Sequence, residues 1–293
     1  MPLDGVSGYS DNLASLGEES FSKETQRMSD RSANLRPNSS KAVIEFRNVS
    51  YRASNQSVLQ DMNLTVDGGE TLVLLGRSGS GKTTSLKLIN RLLQQNSGDV
   101  LVEGKSTTEW DLIRLRRRIG YVIQEAGLFP HYTIAKNVGL LLKIEKKSKA
   151  EIRKRTEEML RMVDLDPVQF ADRYPYQLSG GQRQRVGVAR ALASDPPMLL
   201  MDEPFGALDP LSRSELQQQF LRMREQLHKT IILVTHDVRE ALLLGTRIGL
   251  MESGKLLGTY TPEEFRSSPD PSVRSYLDAF GLSNTQDETG KTR

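Results

Sequence analysis

The sequence predicts an α/β fold in which a mainly parallel sheet is joined by an antiparallel β subdomain near its start and a helical insertion in its middle. Three observations carry this. Short, largely apolar runs at 71–75 (TLVLL), 120–123 (GYVI), 198–201 (MLLM), 230–235 (TIILVT) and 247–251 (RIGLM) lack the alternation of a half-exposed strand and read as strands covered on both faces. Stretches of helical character fall between them, giving the strand, helix, strand succession of a parallel sheet. Residues from about 133 to 193 hold no comparable run and read as helices, one of them around KAEIRKRTEEMLRMV at 149–163.

The 293 residues, 37% hydrophobic and 26% charged, have the proportions of an ordinary globular protein. Such a length builds one large domain or two small ones. The 40 basic and 37 acidic side chains leave a net charge of +3, too little to name a nucleic-acid or lipid partner. The absence of cysteine excludes disulfides, thiolate metal sites and cysteine nucleophiles. No apolar run approaches the ~18 residues that cross a bilayer as a helix.

Residues 1–40 are serine-rich and show no sustained period of 2 or 3.6, which predicts a disordered extension. Asp4, Asp11, Glu18, Glu19, Glu24 and Asp30, mixed with Lys23, Arg27, Arg31 and Arg36, do not fit a signal or transit peptide. VIEFRNVSY at 43–51 and VLQDMNLTV at 58–66 alternate apolar and polar residues around a polar turn, the pattern of a half-buried antiparallel hairpin.

The strand ending at Leu75 runs into GRSGSGKTT at 76–84 and then into the helical run TSLKLINRLL. Gly76, Gly81, Lys82 and Thr83 fit G-x-x-x-x-G-K-[ST], with Arg77, Ser78, Gly79 and Ser80 inside the loop and Thr84 behind it. Glycines let backbone N–H groups converge on phosphate oxygens, and the helix N-terminus adds its positive end. Lys82 would reach the β and γ phosphates of ATP, and the Thr83 hydroxyl would ligate Mg²⁺. A phosphate cradle needs a carboxylate for its metal, and MLLMDEP at 198–204 ends a buried strand in acid. Asp202 would hold Mg²⁺ through its water shell, while Glu203, at the carboxyl edge of the sheet, is placed to polarise the attacking water.

LSGGQRQR at 178–185 is a second anion-binding helix start, with Ser179 as N-cap and bare amides at Gly180 and Gly181. One nucleotide rarely needs two such sites in one chain, whereas a head-to-tail dimer would use both.

At this point the sequence resembles the ABC ATPase family over about residues 41–262. The resemblance implies a P-loop NTPase (RecA-like) core of the ABC ATPase type, a cassette over 41–262 with its helical subdomain at about 125–193. It also implies that the LSGGQ string, Gln182 included, binds γ phosphate in trans. In this family the position of Tyr51 stacks on adenine and that of Gln124 contacts Mg²⁺ and water and reports on the membrane partner. The position of His236 hydrogen-bonds the γ phosphate, and that of Asp209 communicates between the two sites. Many relatives carry serine where this chain has Gly206, a departure that leaves the hydrolytic groups in place.

Within the family an exporter motor is often fused to membrane spans, a translation factor usually carries two cassettes and a repair ATPase a long coiled-coil insertion; none of these is present. GLFPHYTIAKNVGLL at 127–141, RYPYQLSGGQRQRVGVARALASDPP at 173–197, DEPFGALDPLSR at 202–213 and EALLLGTRIGLMESGKL at 240–256 resemble the cassettes of importers for glycine betaine, choline and related quaternary amines. Amino acids, sulfonates and phosphonates stay open as substrates. Permease subunits, an extracellular or periplasmic binding protein and a second copy of the chain are the implied partners, with no nucleic acid expected. The implied location is peripheral, on the cytoplasmic face of the plasma membrane.

Three local readings complete the sequence. Arg114, Arg116, Arg117 and Arg118 fit a solvated helix face better than a binding patch. Leu128 to Tyr132, apolar and aromatic beside Gln124, is either an exposed docking patch or a segment packed under the insertion. The stretch 263–293 is too short for the pair of regulatory domains that many relatives carry, and reads as two short helices. Thr261 caps the first, with Pro262 and Glu264 behind it, and Asp270 caps the second before Pro271.

Overall fold

The structure is a computed structural model and describes residues 42–282; the expected extension at 1–40 lies outside them. β1 (Ala42–Ala53) and β2 (Gln56–Asp67) form the expected hairpin, paired antiparallel from Ala42↔Asp67 to Ala53↔Gln56 with register shifts between. With β4 (Ser97–Val102) and β5 (Lys105–Ser106) they make a four-stranded antiparallel sheet in the order β2-β1-β4-β5.

The second sheet holds β3 (Thr71–Leu75), β6 (Ile119–Val122), β7 (Met198–Asp202), β8 (Thr230–Thr235), β9 (Arg247–Glu252) and β10 (Lys255–Tyr260), in the order β10-β9-β3-β8-β7-β6. All neighbours run parallel except β10 with β9. Every residue of β3, β7 and β8 is buried, as uniformly apolar runs require. Their side chains divide between two cores. Val73, Leu75, Leu199, Met201, Ile231 and Leu233 enter one, while Leu72, Leu74, Met198, Leu200, Ile232 and Val234 enter the other, beneath the antiparallel sheet. The period of two thus survives in three dimensions although the sequence hides it.

Helix α1 (Lys82–Ile89) follows β3, and α2 (Leu112–Arg117) precedes β6. The run expected to continue to residue 93 stops at Ile89, with Arg91 at φ 51 turning the chain. The Arg116 guanidinium of α2 donates to the carbonyls of Asn90 (3.3 Å) and Arg91 (3.0 Å) just past the end of α1. Arg117 pairs with Glu145 at 3.7 Å and Arg118 with Glu103, so this cluster serves largely as internal bracing.

The helical insertion comprises α3 (Ile134–Val138), α4 (Leu140–Ile144), α5 (Lys149–Met162), α6 (Pro167–Phe170) and α7 (Gly180–Leu192). Its apolar faces, including Val138, Met159, Leu160 and Val186, join the core of Val73 and Leu75. Beyond β7 come α8 (Pro210–Leu227), α9 (Val238–Leu244), α10 (Pro262–Ser267) and α11 (Pro271–Ala279). The expected caps are in place: Thr261 and Glu264 form a capping box, and Asp270 accepts from Ser272 N at 2.8 Å. Phe265, Val273 and Leu277 belong to the same core as the central strands, so the segment after 262 is packed with the cassette as far as it is described.

Candidate functional site

The loop after β3 is shaped by contacts that exclude side chains. A Cβ on Gly76 would lie 2.4 Å from the Met251 carbonyl oxygen, and one on Gly81 2.6 Å from Leu59 Cδ2, with Gly81 at φ +100. Only glycine meets both demands. Leu59 pairs with Tyr51 across β1 and β2, which sets Tyr51 one strand from the loop, half-buried on the antiparallel sheet.

Lys82, 4% exposed, curls over the loop and donates from Nζ to the carbonyls of Gly76 (2.7 Å) and Arg77 (2.9 Å). Burial lowers its pKa from the ordinary lysine value, and the negative charges of Glu203 and Asp202 partly oppose that. The Ser80 hydroxyl is buried in the same loop without a hydrogen-bond partner among the described residues. An orphaned donor, a buried cation and glycine-lined backbone in one loop fit an anion with several acceptor oxygens.

Thr83 Oγ1 donates to Asp202 Oδ1 at 2.7 Å, bringing two of the three expected metal residues together at the end of β7, without Gln124. Among the described residues no group of three or more His, Asp or Glu could hold a metal ion by itself. A hydroxyl and one carboxylate suit Mg²⁺, which keeps waters and takes its remaining ligands from substrate phosphates. Tyr121, on β6, donates to Asp202 Oδ2 at 3.4 Å, and burial together with this carboxylate pushes its phenol pKa up. Sequence reasoning missed Tyr121, although it is the one polar-tipped residue in the run GYVI.

Glu203 leaves β7 with φ 42, unusual for a residue with a Cβ, and its N–H donates to the Val234 carbonyl at 3.1 Å. This turn brings Glu203 Oε2 to 3.4 Å from His236 Nδ1, whose side chain is 58% exposed. Behind the histidine, buried Glu240 accepts from Thr235 Oγ1 (2.5 Å) and from Gln217 Nε2 (3.1 Å), and burial raises its pKa. Arg77, Ser78, Glu203 and His236 share a cleft of about 520 Å³ that Tyr276 and its neighbours on α11 also line.

The remaining predicted residues gather elsewhere. Ser179 caps α7 in a capping box, accepting from Gln182 N (3.2 Å) while Gln182 Oε1 accepts from Ser179 N (3.0 Å). Gly180 is exposed, and Gly181 lies so close to α8 that a Cβ would stand 3.2 Å from Ser212 Cβ. Asp209 caps α8 by accepting from Ser212 N at 3.0 Å, and such backbone N–H bonds lower its carboxyl pKa. Exposed Gln124 lines a separate cleft of about 290 Å³ with Gly180, Gln184, Pro204 and Leu208. Lys82, Thr83, Asp202, Glu203 and His236 therefore form one cluster, and Gln124, the Ser179 turn and the Asp209 cap line a second surface.

Fold and loop together define a P-loop NTPase: a parallel sheet with a phosphate loop after β3 and an acidic strand end two strands away. A family model described as ABC transporter matches residues 59–206, half of the chain. The chain is 44% identical to the choline transport ATP-binding protein OpuBA of Bacillus subtilis, over 80% of its own length and 62% of that protein's. It is 50% identical to the osmoprotectant import ATP-binding protein OsmV of Salmonella typhimurium, over 72% of this chain and 55% of that one. Among solved structures it is similar to the dimer of the ATP-binding cassette MJ0796 in a post-hydrolysis state bound to ADP and Pi, with a TM-score of 0.67, 36% identity, and coverage of 75% of this chain and 98% of that one. The chain belongs to the ABC transporter family, and it spans 62% and 55% of the lengths of the two curated relatives.

Proposed function

We propose that this chain is the ATP-hydrolysing motor of a membrane importer for osmoprotectants such as glycine betaine, choline or related quaternary amines. The observation that carries the ATPase reading is the cluster around one loop: Lys82 above the cradle, Thr83 hydrogen-bonded to Asp202, and Glu203 beside His236. The substrate class rests on the names of the relatives, which are choline and osmoprotectant transport proteins.

In this reading Tyr51 stacks on adenine. The loop Gly76–Thr84 takes the phosphates through those of its amides not bonded within the chain, the Ser80 hydroxyl and Lys82. Thr83 and Asp202 would hold Mg²⁺, with Gln124 arriving from the neighbouring cleft; when bound, the ion neutralises charge on the β and γ oxygens. Glu203 orients a water whose oxygen attacks the γ phosphorus while the β–γ bridging oxygen leaves with ADP, and His236 steadies both Glu203 and the γ phosphate.

Ser179, Gly180, Gly181 and Gln182 are turned to a second surface, so they serve the nucleotide of another copy in a head-to-tail dimer, with Asp209 beside them. The similar cassette MJ0796, a dimer bound to ADP and Pi, supports that arrangement. Among the described residues no helix is long and apolar enough to cross a membrane. In this reading force passes to permease subunits. The docking face we assign is the Leu128–Tyr132 segment and the adjoining groove of about 910 Å³, lined by Tyr132, Leu140, Lys143, Ile152 and Val168. Phe129 is 42% exposed there, while buried Asn137 clamps the segment, donating to the carbonyls of Phe129 (3.1 Å) and Tyr132 (3.2 Å) and accepting from Phe129 N (2.7 Å). An exposed aromatic on a fixed backbone suits a partner surface. The cassette spans 41–262, with its helical subdomain at about 125–193, and sits on the cytoplasmic face of the membrane with a binding protein on the other side.

Glu203→Gln tests the chemistry. Steady-state hydrolysis should fall by at least about 100-fold, because water loses its orienting carboxylate, while ATP binding persists. Gel filtration with ATP should then show a trapped dimer. Near-normal turnover in this variant would remove Glu203 from the proposed role.

A further inference from the structure

The C-terminal helix α11 touches the phosphate loop directly. The Tyr276 hydroxyl accepts a hydrogen bond from the backbone N–H of Arg77 at 3.0 Å, across 199 positions of sequence. Tyr276 is 9% exposed, and its helix neighbours Val273 and Leu277 are fully buried in the core that also takes Val73 and Leu75 of β3. The phenol is therefore held by packing on the same strand from which the loop departs. One turn on, at the C-terminal end of α11, the Arg239 guanidinium donates to the Phe280 carbonyl at 3.3 Å, and Arg239 lies three residues beyond His236. Tyr276 also lines the cleft that holds Glu203 and His236.

The position of that hydrogen bond matters. Arg77 is the first residue past Gly76, where any side chain would collide with the Met251 carbonyl, and the carbonyls of Gly76 and Arg77 are the two acceptors of Lys82 Nζ. The Arg77 N–H and the Gly76 carbonyl share one peptide plane, so holding that N–H fixes the first peptide of the loop and, through the Gly76 carbonyl, the nearer of the two acceptors of Lys82 Nζ. Preorganised donors bind an anion more tightly than donors that must first be ordered.

We propose that Tyr276 is a positioning residue for the phosphate loop and that α11 is the brace carrying it, so that nucleotide affinity depends on a helix outside every nucleotide-binding motif of the chain. The inference rests on the ATPase reading above. Tyr276→Phe keeps the ring and its packing and removes the hydroxyl alone. In the full chain, the dissociation constants of MgATP and MgADP should rise about two- to tenfold, the span expected for one lost hydrogen bond. KM should rise in step while kcat stays within about twofold, because Tyr276 is argued to order the ground-state cradle and not the attacking water. The nucleotide-free melting temperature should stay within a few degrees of wild type.

Unchanged nucleotide affinity in Tyr276→Phe, with wild type binding and hydrolysing ATP, overturns the brace and leaves the motor reading standing. A fall in kcat at constant KM, or a loss of affinity matched by a collapse of the nucleotide-free melting temperature, also overturns it, since the first places the effect on chemistry and the second on packing. A wild-type chain that binds no nucleotide overturns both readings.

Discussion

Around the loop at Gly76–Thr84 the functional groups meet one another inside the chain, whereas the turn at Ser179–Gln182 satisfies its own helix cap and is otherwise open. Lys82 is buried and donates to two loop carbonyls, and Thr83 is hydrogen-bonded to Asp202. Ser179 and Gly180 are exposed, and their turn rests on the start of α8 through Gly181 and Ser212. The first region has what a single chain needs to grip phosphate. The second exposes a helix start at Ser179 and Gly180, which is the design expected of a site shared between copies.

The largest effect that would sharpen this contrast comes from Lys82→Ala, which should weaken nucleotide binding on the order of 100-fold by removing a buried charged donor. Ser179→Arg should leave binding by the isolated monomer near wild type yet stop hydrolysis, because the side chain obstructs the surface offered to the partner. Mixing the two inactive proteins should recover part of the activity, since one heterodimeric site combines an intact loop with an intact turn. Equilibrium binding of a fluorescent ATP analogue and phosphate release from the mixture check both halves; no recovery at any ratio would break the division into two regions.

A smaller effect is expected further out on the second region. Phe129→Asp should leave the ATPase rate of the isolated cassette within about twofold, as surface changes away from packing usually do. With a co-expressed permease it should uncouple hydrolysis from transport, and uptake of labelled glycine betaine or choline should fall. Uptake that is unaffected removes the docking face, and uptake in the unmutated system that takes neither solute removes the substrate class while leaving the importer.

The smallest effect concerns the residue that joins the regions. Glu240 accepts from Thr235, the neighbour of His236, and from Gln217 on the helix that Asp209 caps. Because burial raises its folded-state pKa above the ordinary 4.5, its contribution to stability is fully present below that value and is lost as pH rises through the folded-state pKa. Glu240→Gln should therefore gain ground on wild type between pH 4.5 and 7.5, by about 1 kcal/mol or less once the weakened hydrogen bonds are counted. Urea midpoints across that range decide it, and a difference independent of pH would show that ionisation of Glu240 is not what links the two sides.

How far these regions could be read from sequence follows the reach of the interactions that build them. The loop, the acidic strand end and the Ser179 cap depend on residues within a few positions of one another, so spacing alone located them. The capping boxes at Thr261 and at Ser179 are of the same kind, closed by a partner three residues on. The runs of β3, β7 and β8 were visible because both faces are buried; β10 was not, since none of its residues is fully buried and its pattern alternates weakly. The run expected at 120–123 is displaced by one residue: buried Ile119 opens β6, and Ile123, exposed, falls just past its end.

By itself the sequence determined the α/β class, the phosphate loop, the acidic strand end and the helix caps, because each is set by local backbone chemistry and by hydrophobic periodicity. Only the tertiary structure decided that Tyr121 meets Asp202, that Glu240 bridges Thr235 to Gln217, and that Tyr276 receives the Arg77 amide. Those contacts join groups 81, 5 and 23, and 199 positions apart, and each depends on which strands lie side by side and how deep a helix sinks into the core. Burial decided their character as well, since the shifts at Lys82, Tyr121 and Glu240 are all led by loss of water, which a residue acquires only when the rest of the chain closes over it.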